Sequence, residues 1–387
     1  MSGQERRQGP LASLRIVEME GIGPVPLAAM LLADLGATVI RVERLVAGDA
    51  GIARPREFDF ATRGRIAVPV DLKSADGRDL VLDLIAKADG LVEGFRPGVM
   101  ERLGLGPGDC LARNPRLAYG RLTGWGQDGP LAQTAGHDLN YLALTGVLDR
   151  LGRAGQPPAP PINLLGDYAG GSMLMAFGLL AAILSARETG AGQVVDAAMV
   201  DGVGLLAVPL LGIIGAGIHS GGRGENLLDT GAPHYEVYEC ADGKWLSVAP
   251  IEGKFRSIML EGFGFDPRTF PDVSQRENWS EARRLLAERI ATRTRAEWEK
   301  VFEGSDACVT PVLDFDEAMD HPHNRIRRAH VEVSGRMQPA PAPRFSATPA
   351  AMPQMQGRGG DEARAALADW GIAEERIARL REAGVIG

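Results

Sequence analysis

The stretch LRIVEMEGIGPVPLAAMLLADLGATVIRVE, residues 14–43, decides the fold class of this chain. Arg15 to Met19 is a short apolar run that predicts a buried strand. Pro26 to Leu35 has the length and apolar spacing of a helix, and Gly36 is a typical residue to end one. Thr38 to Glu43 predicts a second strand. This succession indicates a helical crossover between two parallel strands.

The same alternation continues downstream. A helix is predicted at about Gly77 to Ala88, followed by strands at Gly90 to Glu93 and Leu117 to Leu122. Strands that alternate with helices predict an α/β fold with a parallel, Rossmann-like sheet. The turn at 21–26 has two glycines but lacks the third of the dinucleotide fingerprint, so a nicotinamide cofactor is not expected there.

The chain of 387 residues is long enough for two domains. We expect a large α/β domain over residues 1–200, completed by 325–387, and a smaller α+β domain over 225–318. The glycine-rich segment 215–226 is the predicted linker. In the small domain the sequence predicts strands at 235–240 and 245–249 and helices at 280–292 and 295–302.

Composition excludes several classes of function. A formal net charge of −8 and a pI near 5.4 argue against a protein that binds nucleic acid or an anionic membrane. The three cysteines have no metal-ligand spacing and predict reduced structural thiols. His321, His323 and His330 are expected in a surface turn, because no cysteine or aspartate pattern completes a metal site.

Two apolar runs and the polar first residues indicate where in the cell the protein is expected. Met173 to Ala186 and Val203 to Ile218 both fall short of a membrane span, so we expect buried helices. Residues 1–10 lack the apolar stretch of a secretory signal. Cytoplasmic location follows by elimination.

Two potential proton carriers, His137 and Asp167, lie near glycines in segments with few charges. There the backbone can approach a ligand closely and water can be excluded. Inversion of a carbon stereocentre by proton exchange needs one group that removes a proton and another, on the opposite face, that returns one. Asp167 also suits the N-cap of the long helix expected at 172–187, just after it.

Motifs along nearly the whole chain resemble the α-methylacyl-CoA racemases, a branch of the family III CoA-transferase superfamily of CaiB/BaiF type. The racemase branch is indicated mainly by the segment GHDLNYL, residues 136–142. The superfamily motifs are Leu14–Glu18, Leu31–Ala37, Val70–Lys73, Phe95–Met100, Asn163–Ser172, Asp229–Tyr235 and Ser305–Val312.

The resemblance implies roles for three residues. His137 corresponds to the base that serves the 2S face of the substrate. Asp167 corresponds to the base for the 2R face in the racemases, or to the acyl-accepting nucleophile in the transferases. Glu252 matches a glutamate supplied by the partner subunit's small domain, where it would hold one tautomer of His137. An exposed glutamate at a strand end is the alternative for Glu252. The resemblance also implies a homodimer whose subunits interlock like chain links.

Coenzyme A is an anion, so its site needs fixed cations and backbone donors. Arg44, Arg96 and Arg102 occur in matching segments after predicted strands, where open α/β sheets bind ligands; solvated surface charges are the alternative. Asp138 would orient the imidazole of His137 or cap a helix. The remaining residues that the resemblance places at the CoA thioester are Val70, Asp71, Leu72, Lys73, Gly136, Leu139, Asn140 and Tyr141.

These observations predict a racemase of 2-methylacyl-CoA thioesters that needs no metal, flavin or nicotinamide. An enolate intermediate would be stabilised by backbone N–H groups near Gly166 to Ser172. The alternatives are a CoA-transferase that uses Asp167 as its nucleophile and a non-catalytic acyl-CoA-binding protein. The sequence does not specify the acyl chain.

Overall fold

The computed structural model describes residues 8–46, 48, 52, 54–355 and 357–387, which form two compact units. The first contains the described parts of Met1–Thr145, Ile162–Leu206 and Arg327–Gly387. The second contains Gly146–Pro161 and Ala207–Ile326. The expectation about the polar start concerns positions of which 1–7 lie outside the described residues. Assignment of the units as a CoA-binding domain and a small domain stays a prediction.

The strands form three sheets. In chain order they are β1 Arg15–Met19, β2 Thr38–Glu43, β3 Arg65–Pro69, β4 Gly90–Glu93, β5 Ala118–Thr123, β6 Gln193–Ala198, β7 Glu236–Glu239, β8 Trp245–Val248, β9 Val309–Pro311, β10 His330–Val333 and β11 Arg336–Pro339. The first six form one parallel sheet in the order β3-β2-β1-β4-β5-β6. The predicted parallel α/β sheet is therefore confirmed, with the strand order of a Rossmann fold.

The described helices connect and cover these sheets. The α-helices are α1 Pro24–Asp34, α2 Ala75–Ile85, α3 Val99–Arg102, α4 Pro107–Arg113, α5 Asp138–Leu144, α6 Leu174–Thr189, α7 Met199–Leu206, α8 Val208–Gly215, α9 Gly253–Gly262, α10 Trp279–Ile290, α11 Arg295–Phe302, α12 Phe315–Asp320, α13 Pro322–Ile326, α14 Gly360–Asp369 and α15 Glu374–Glu382. A π-helix spans Leu164–Met173, and 3₁₀ turns occur at Arg56–Phe58, Phe60–Thr62, Leu148–Arg150 and Arg276–Asn278.

Helices cover both faces of the central strands of the large sheet, and successive strand residues point to opposite sides. Val17 of β1 belongs to a core that is covered by α2, α4, α14 and α15. Its neighbour Ile16 belongs to the opposite core, under α1 and α6. The last two helices thus complete the first unit, and the isolated bridge of Ile386 with Val70 ties the C-terminal residues to the exit of β3.

Two strands of the large sheet, β3 and β6, were not predicted from the sequence. β3 begins with Arg65, a fully buried arginine whose Nε donates to Glu18 Oε2 at 2.9 Å. Burial of a charge normally argues against a core strand, and here the partner carboxylate offsets part of that cost. β6 is largely exposed along its first four residues, so its sequence lacks the apolar run of a central strand.

The two apolar runs are less buried than expected. The π-helix and α6 together, Leu164–Thr189, are long and apolar enough to cross a membrane by length and composition, and 44% of the most apolar window is buried within the chain. Phe177 and Leu184 of α6 are 72% and 61% exposed. No residue of α8 is buried. The prediction of buried helices is therefore wrong for α8 and half right for α6.

The second unit has its own core. Its sheet is antiparallel, in the order β7-β8-β9. Phe263, Trp298 and Phe302 pack edge-on or stacked against one another beside it, with ring centroids 4.7–6.2 Å apart. Such aromatic clusters bury large areas, and this one belongs to a core made of residues of the second unit.

Candidate active site

Asp167 lies inside the first turn of the π-helix, with Asn163 at the N-cap. The expectation that Asp167 caps the long helix is therefore wrong, because the helix begins earlier than residue 172. A π-helix leaves the N–H groups of its first turn without intrahelical partners. The backbone N–H of Asp167 is one of these groups, at the positive end of the helix dipole.

The Asp138 carboxylate, at the start of α5, accepts hydrogen bonds from two N–H groups of this turn. Its Oδ2 accepts hydrogen bonds from the N–H of Gly166 at 2.6 Å and from that of Asp167 at 2.8 Å. A Cβ on Gly166 would lie 2.6 Å from the same oxygen, so only glycine allows this approach. Asp138 thus caps the π-helix across 28 residues of sequence. These two N–H groups are therefore occupied, and stabilisation of an enolate by backbone N–H groups near Gly166 to Ser172 stays a prediction.

The Asp167 carboxylate lies beside the turn that follows β1. Its Oδ2 accepts a hydrogen bond from Asn163 Nδ2 at 3.1 Å and lies 3.4 Å from the position of a Cβ on Gly23. Burial raises the pKa of Asp167; the Asn163 hydrogen bond opposes this, the charge of Asp138 adds to it, and the net pKa is raised. A carboxyl group with a raised pKa suits proton transfer near neutral pH.

His137 is the N-cap residue of α5, directly before Asp138, and its side chain is exposed. Its backbone N–H donates to Asn140 Oδ1 at 3.0 Å. The imidazole is close enough to Asp167 for its charge to act on the pKa of that carboxyl. The role of His137 and Asp167 as a pair of proton carriers stays a prediction.

Tyr141 lies beneath these residues. Its hydroxyl donates to the Gly136 carbonyl, and its ring meets Trp125 edge-on with centroids 4.8 Å apart. Burial, with the charges of Asp167 and Asp138, raises the pKa of Tyr141 to about 12. The phenol therefore stays protonated and acts as a support for the loop rather than as a base.

The site lies where ligands bind in this type of sheet. The strand order reverses between β1 and β4, and such switch points open a crevice at the carboxyl ends of the strands. Gly23 follows β1, whereas Gly94 and exposed Arg96 follow β4. A Cβ on Gly94 would lie only 2.7 Å from Val25, so the two exits are in close contact.

The other predicted CoA residues follow neighbouring strands. Exposed Arg44 comes directly after β2, and exposed Arg102 ends α3, downstream of β4. Residues 70–73 follow β3, where Val70 is buried and Lys73 exposed. Asp71 Oδ1 accepts from Lys73 N at 3.0 Å, which fixes this turn at the start of α2. Leu139 and Asn140 are exposed on α5.

Glu252 belongs to the second unit, where it is the exposed N-cap residue of α9. Arg256 of that helix donates to the Ile251 carbonyl and thereby fixes the strand exit that carries Glu252. The prediction that Glu252 orients His137 is not tested by this arrangement and stays a prediction.

A family model for CoA-transferase family III matches residues 11–361. The chain belongs to CoA-transferase family III. Its relatives include alpha-methylacyl-CoA racemases from Mus musculus, 40% identical over 378 residues, and Homo sapiens, 39% identical over 381 residues; each alignment covers 97% of this chain and 97% of the relative. The resemblance stated from the motifs is therefore confirmed.

The fold has a counterpart among solved structures. A CAIB/BAIF family protein from Brucella suis superposes with a TM-score of 0.79 at 24% identity, covering 94% of this chain and all of that one. This likeness confirms the α/β fold of the family III chain.

Some residues of this family III site were missed from the sequence. Asn163 was noted only as part of a segment, although its amide is the donor to Asp167. Ser172 Oγ donates to the Pro24 carbonyl at 2.8 Å and so joins the end of the π-helix to the start of α1. Spacing carries no signal for either contact. Among the described residues, no group of three or more His, Cys, Asp or Glu side chains has the arrangement of a metal site.

Proposed function

We infer that the protein is an isomerase that interconverts (2R)- and (2S)-2-methylacyl-CoA thioesters. The observation that carries this function is the 40% identity, over 97% of both chains, to a protein named alpha-methylacyl-CoA racemase. The electrostatic interaction of the His137 imidazole with the Asp167 carboxyl supports it, because proton exchange at one carbon needs two carriers.

The proposed reaction proceeds through an enolate. The thioester carbonyl acidifies the C2 proton, one of the two side chains removes it, and the other returns a proton to the opposite face. Asp167 serves the 2R face and His137 the 2S face. The two groups must start in opposite protonation states, so each direction uses the complementary form of the enzyme. The raised pKa of Asp167 helps the protonated carboxyl to persist as an acid.

CoA binding is assigned to the carboxyl edge of the large sheet. Arg44, Arg96 and Arg102 supply the cations for the nucleotide phosphates, and residues 70–73 run along the adenosine and pantetheine. Their positions after β2, β4 and β3, with the three arginines and Lys73 exposed, support this assignment. The reaction itself requires no resident cofactor.

An interlocked homodimer is the proposed assembly. Phe177 and Leu184 expose large apolar side chains on α6, and Leu205 and Leu206 do the same on α7. Apolar faces of this extent usually mark interfaces, and a second copy of this chain would cover them. In the dimer, Glu252 of one subunit would orient His137 of the other. The same burial would withdraw the helix from any membrane, in keeping with a cytoplasmic location.

A family III CoA-transferase is the second candidate. The family description favours it, and Asp167 would then attack the thioester carbonyl as a nucleophile. A second proton carrier would have no role in that reaction. A non-catalytic acyl-CoA-binding protein would require neither group.

Incubation of the protein with a 2-methylacyl-CoA in D2O, without any acyl acceptor, tests the function. We expect deuterium at C2 together with loss of optical purity. His137→Ala should slow racemisation roughly 10²- to 10⁴-fold, with the larger loss for the enantiomer whose proton faces His137. Acceptor-dependent CoA transfer without deuterium at C2 would establish the transferase instead.

A further inference from the structure

Arg358 connects the C-terminal part of the first unit to the segment that follows β2. Its Nη2 donates to the carbonyl oxygens of Arg44, at 2.6 Å, and Leu45, at 3.0 Å. Its Nε donates to Glu43 Oε2 at 2.8 Å. One side chain therefore fixes three consecutive residues at the exit of the strand.

The backbone of Arg358 is itself anchored. Arg358 forms an isolated parallel bridge with Ala67 of β3, and the next residue, Gly359, donates its N–H to the Ala67 carbonyl at 3.0 Å. The guanidinium thus reaches from a fixed position beside β3 to the exit of β2. A side chain that is fixed at its backbone and at its guanidinium restricts the movement of the loop that it contacts.

Arg44 is held at both of its backbone polar groups. Its N–H donates to Glu20 Oε2 at 2.8 Å, and its carbonyl accepts from Arg358. The side chain of Arg44 remains exposed. The fixed backbone therefore sets the position from which the exposed Arg44 side chain extends.

Several arginines lie around Arg44 in the described part of the chain. The buried Glu43 carboxylate is shared by Arg41, Arg56 and Arg358, at 3.0, 3.1 and 2.8 Å. The side chains of Arg56 and Arg358 are each 37% exposed. In a chain with a net charge of −8, such a locus favours an anionic ligand.

We propose that Arg358 is a positioning residue for the nucleotide end of coenzyme A, acting through the backbone of Arg44. This inference rests on the proposed function, which assigns Arg44 to the nucleotide phosphates. Arg358 contacts the loop and leaves the reacting carbon to His137 and Asp167. Its loss should therefore weaken binding of the nucleotide while the chemical step is unchanged.

The test compares Arg358→Gln with Arg364→Gln, an exposed arginine of α14 that pairs with Glu374 at 2.8 Å. Arg358→Gln should raise KM for a 2-methylacyl-CoA about 10-fold, the worth of a charge-assisted hydrogen bond, with kcat unchanged. KM for the matching acyl-pantetheine, which lacks the nucleotide, should not change. Arg364→Gln should leave both values as in the wild type.

A double substitution gives an independent readout. In an Arg44→Ala background, Arg358→Gln should add little further loss, because the guanidinium to be positioned is gone. Arg358→Lys retains the positive charge but lacks the several N–H donors of the guanidinium, so it should give a smaller rise in KM. This variant keeps the proposal testable if Arg358→Gln does not fold.

Three outcomes would overturn the proposal: equal KM changes for acyl-CoA and acyl-pantetheine, a loss confined to kcat, or additive effects of Arg44→Ala and Arg358→Gln. Calorimetric titration with adenosine 3′,5′-bisphosphate separates this inference from the proposed function. If the wild type fails to exchange the C2 proton but Arg358→Gln still weakens that binding, the racemase function fails and the role of Arg358 stands.

Discussion

Glu43 and Asp167 are two carboxylates of the same unit with opposite environments. Burial tends to raise the pKa of Glu43, but the charges of Arg56 and Arg41 and the hydrogen bond from Arg358 outweigh it, so the net pKa is lowered. Burial also raises the pKa of Asp167, where one amide donor and the nearby imidazole do not offset it. The first carboxylate is fixed as a structural anion, and the second is kept available for proton transfer.

The comparison also predicts opposite effects on stability. A group with a lowered pKa stabilises the fold above its ordinary pKa, and this contribution is lost as the pH falls through the folded value. A group with a raised pKa contributes its stability at low pH and loses it as the pH rises. At neutral pH, Glu43 should therefore support the fold and Asp167 should strain it.

The largest expected effect is that of Asp167→Asn. Racemisation should fall by roughly 10²- to 10⁴-fold, because an amide cannot carry the proton. The melting temperature at pH 7 should be unchanged or higher, since the amide needs no charge in a buried position, and any gain should vanish near pH 4. Kinetics and thermal unfolding at the two pH values test this. If Asp167→Asn were less stable than the wild type and still racemised the substrate, the proposed difference between the two carboxylates would be wrong.

Glu43→Gln should show the reverse pattern. Loss of the charge shared by three arginines should cost about 2 kcal/mol of unfolding free energy at pH 7, reduced from the fully buried case because Arg56 and Arg358 are partly exposed. The difference from the wild type should shrink as the pH falls below about 4.5, the ordinary value for this carboxyl. Urea denaturation at several pH values measures it, and kcat should persist. A collapse of kcat in a folded variant would contradict the structural role.

Asn163→Ala should sharpen the comparison by removing the one amide that lowers the pKa of Asp167. The acidic limb of the pH profile of kcat for the 2R substrate should move to higher pH, by about one unit, as expected for the loss of one hydrogen bond from a neutral donor to the carboxylate. Asn278→Ala, in the second unit, is the control. A shift to lower pH would mean that another group sets this limb.

The smallest effect is expected for Tyr141→Phe. The phenol supports the Gly136 carbonyl, so its loss should cost about 1 kcal/mol of stability and less than 10-fold in rate. A loss as large as that for Asp167→Asn would make the phenol, rather than the carboxyl, the proton carrier.

Sequence periodicity predicted the strands and helices whose residues show a regular apolar pattern. The predicted bounds of β1, β2, β4 and α11 match the structure, and the sheet class follows from their alternation. β3 was missed because its buried Arg65 is compensated by Glu18, 47 positions away in sequence.

The candidate site shows the same division. The motif indicated His137 and Asp167, but the cap that Asp138 provides for the π-helix is a contact between distant segments. Sequence spacing could predict neither that cap nor the earlier helix start that placed Asp167 inside the first turn. The π-helical winding likewise has no periodic signature in a stretch so rich in glycine.

The contact between the π-helix and α7 bears on how this enzyme can be engineered. A Cβ on Gly202 would lie 2.0 Å from the Gly170 carbonyl, and one on Gly170 would lie 2.9 Å from the Val203 nitrogen. In a saturation library over 164–173 and 199–206, positions 170 and 202 should accept glycine alone. Exposed Leu164 should accept many residues. The segment that carries the reactive carboxylate can thus be diversified on its outer face, whereas its inner face is fixed by the backbone itself.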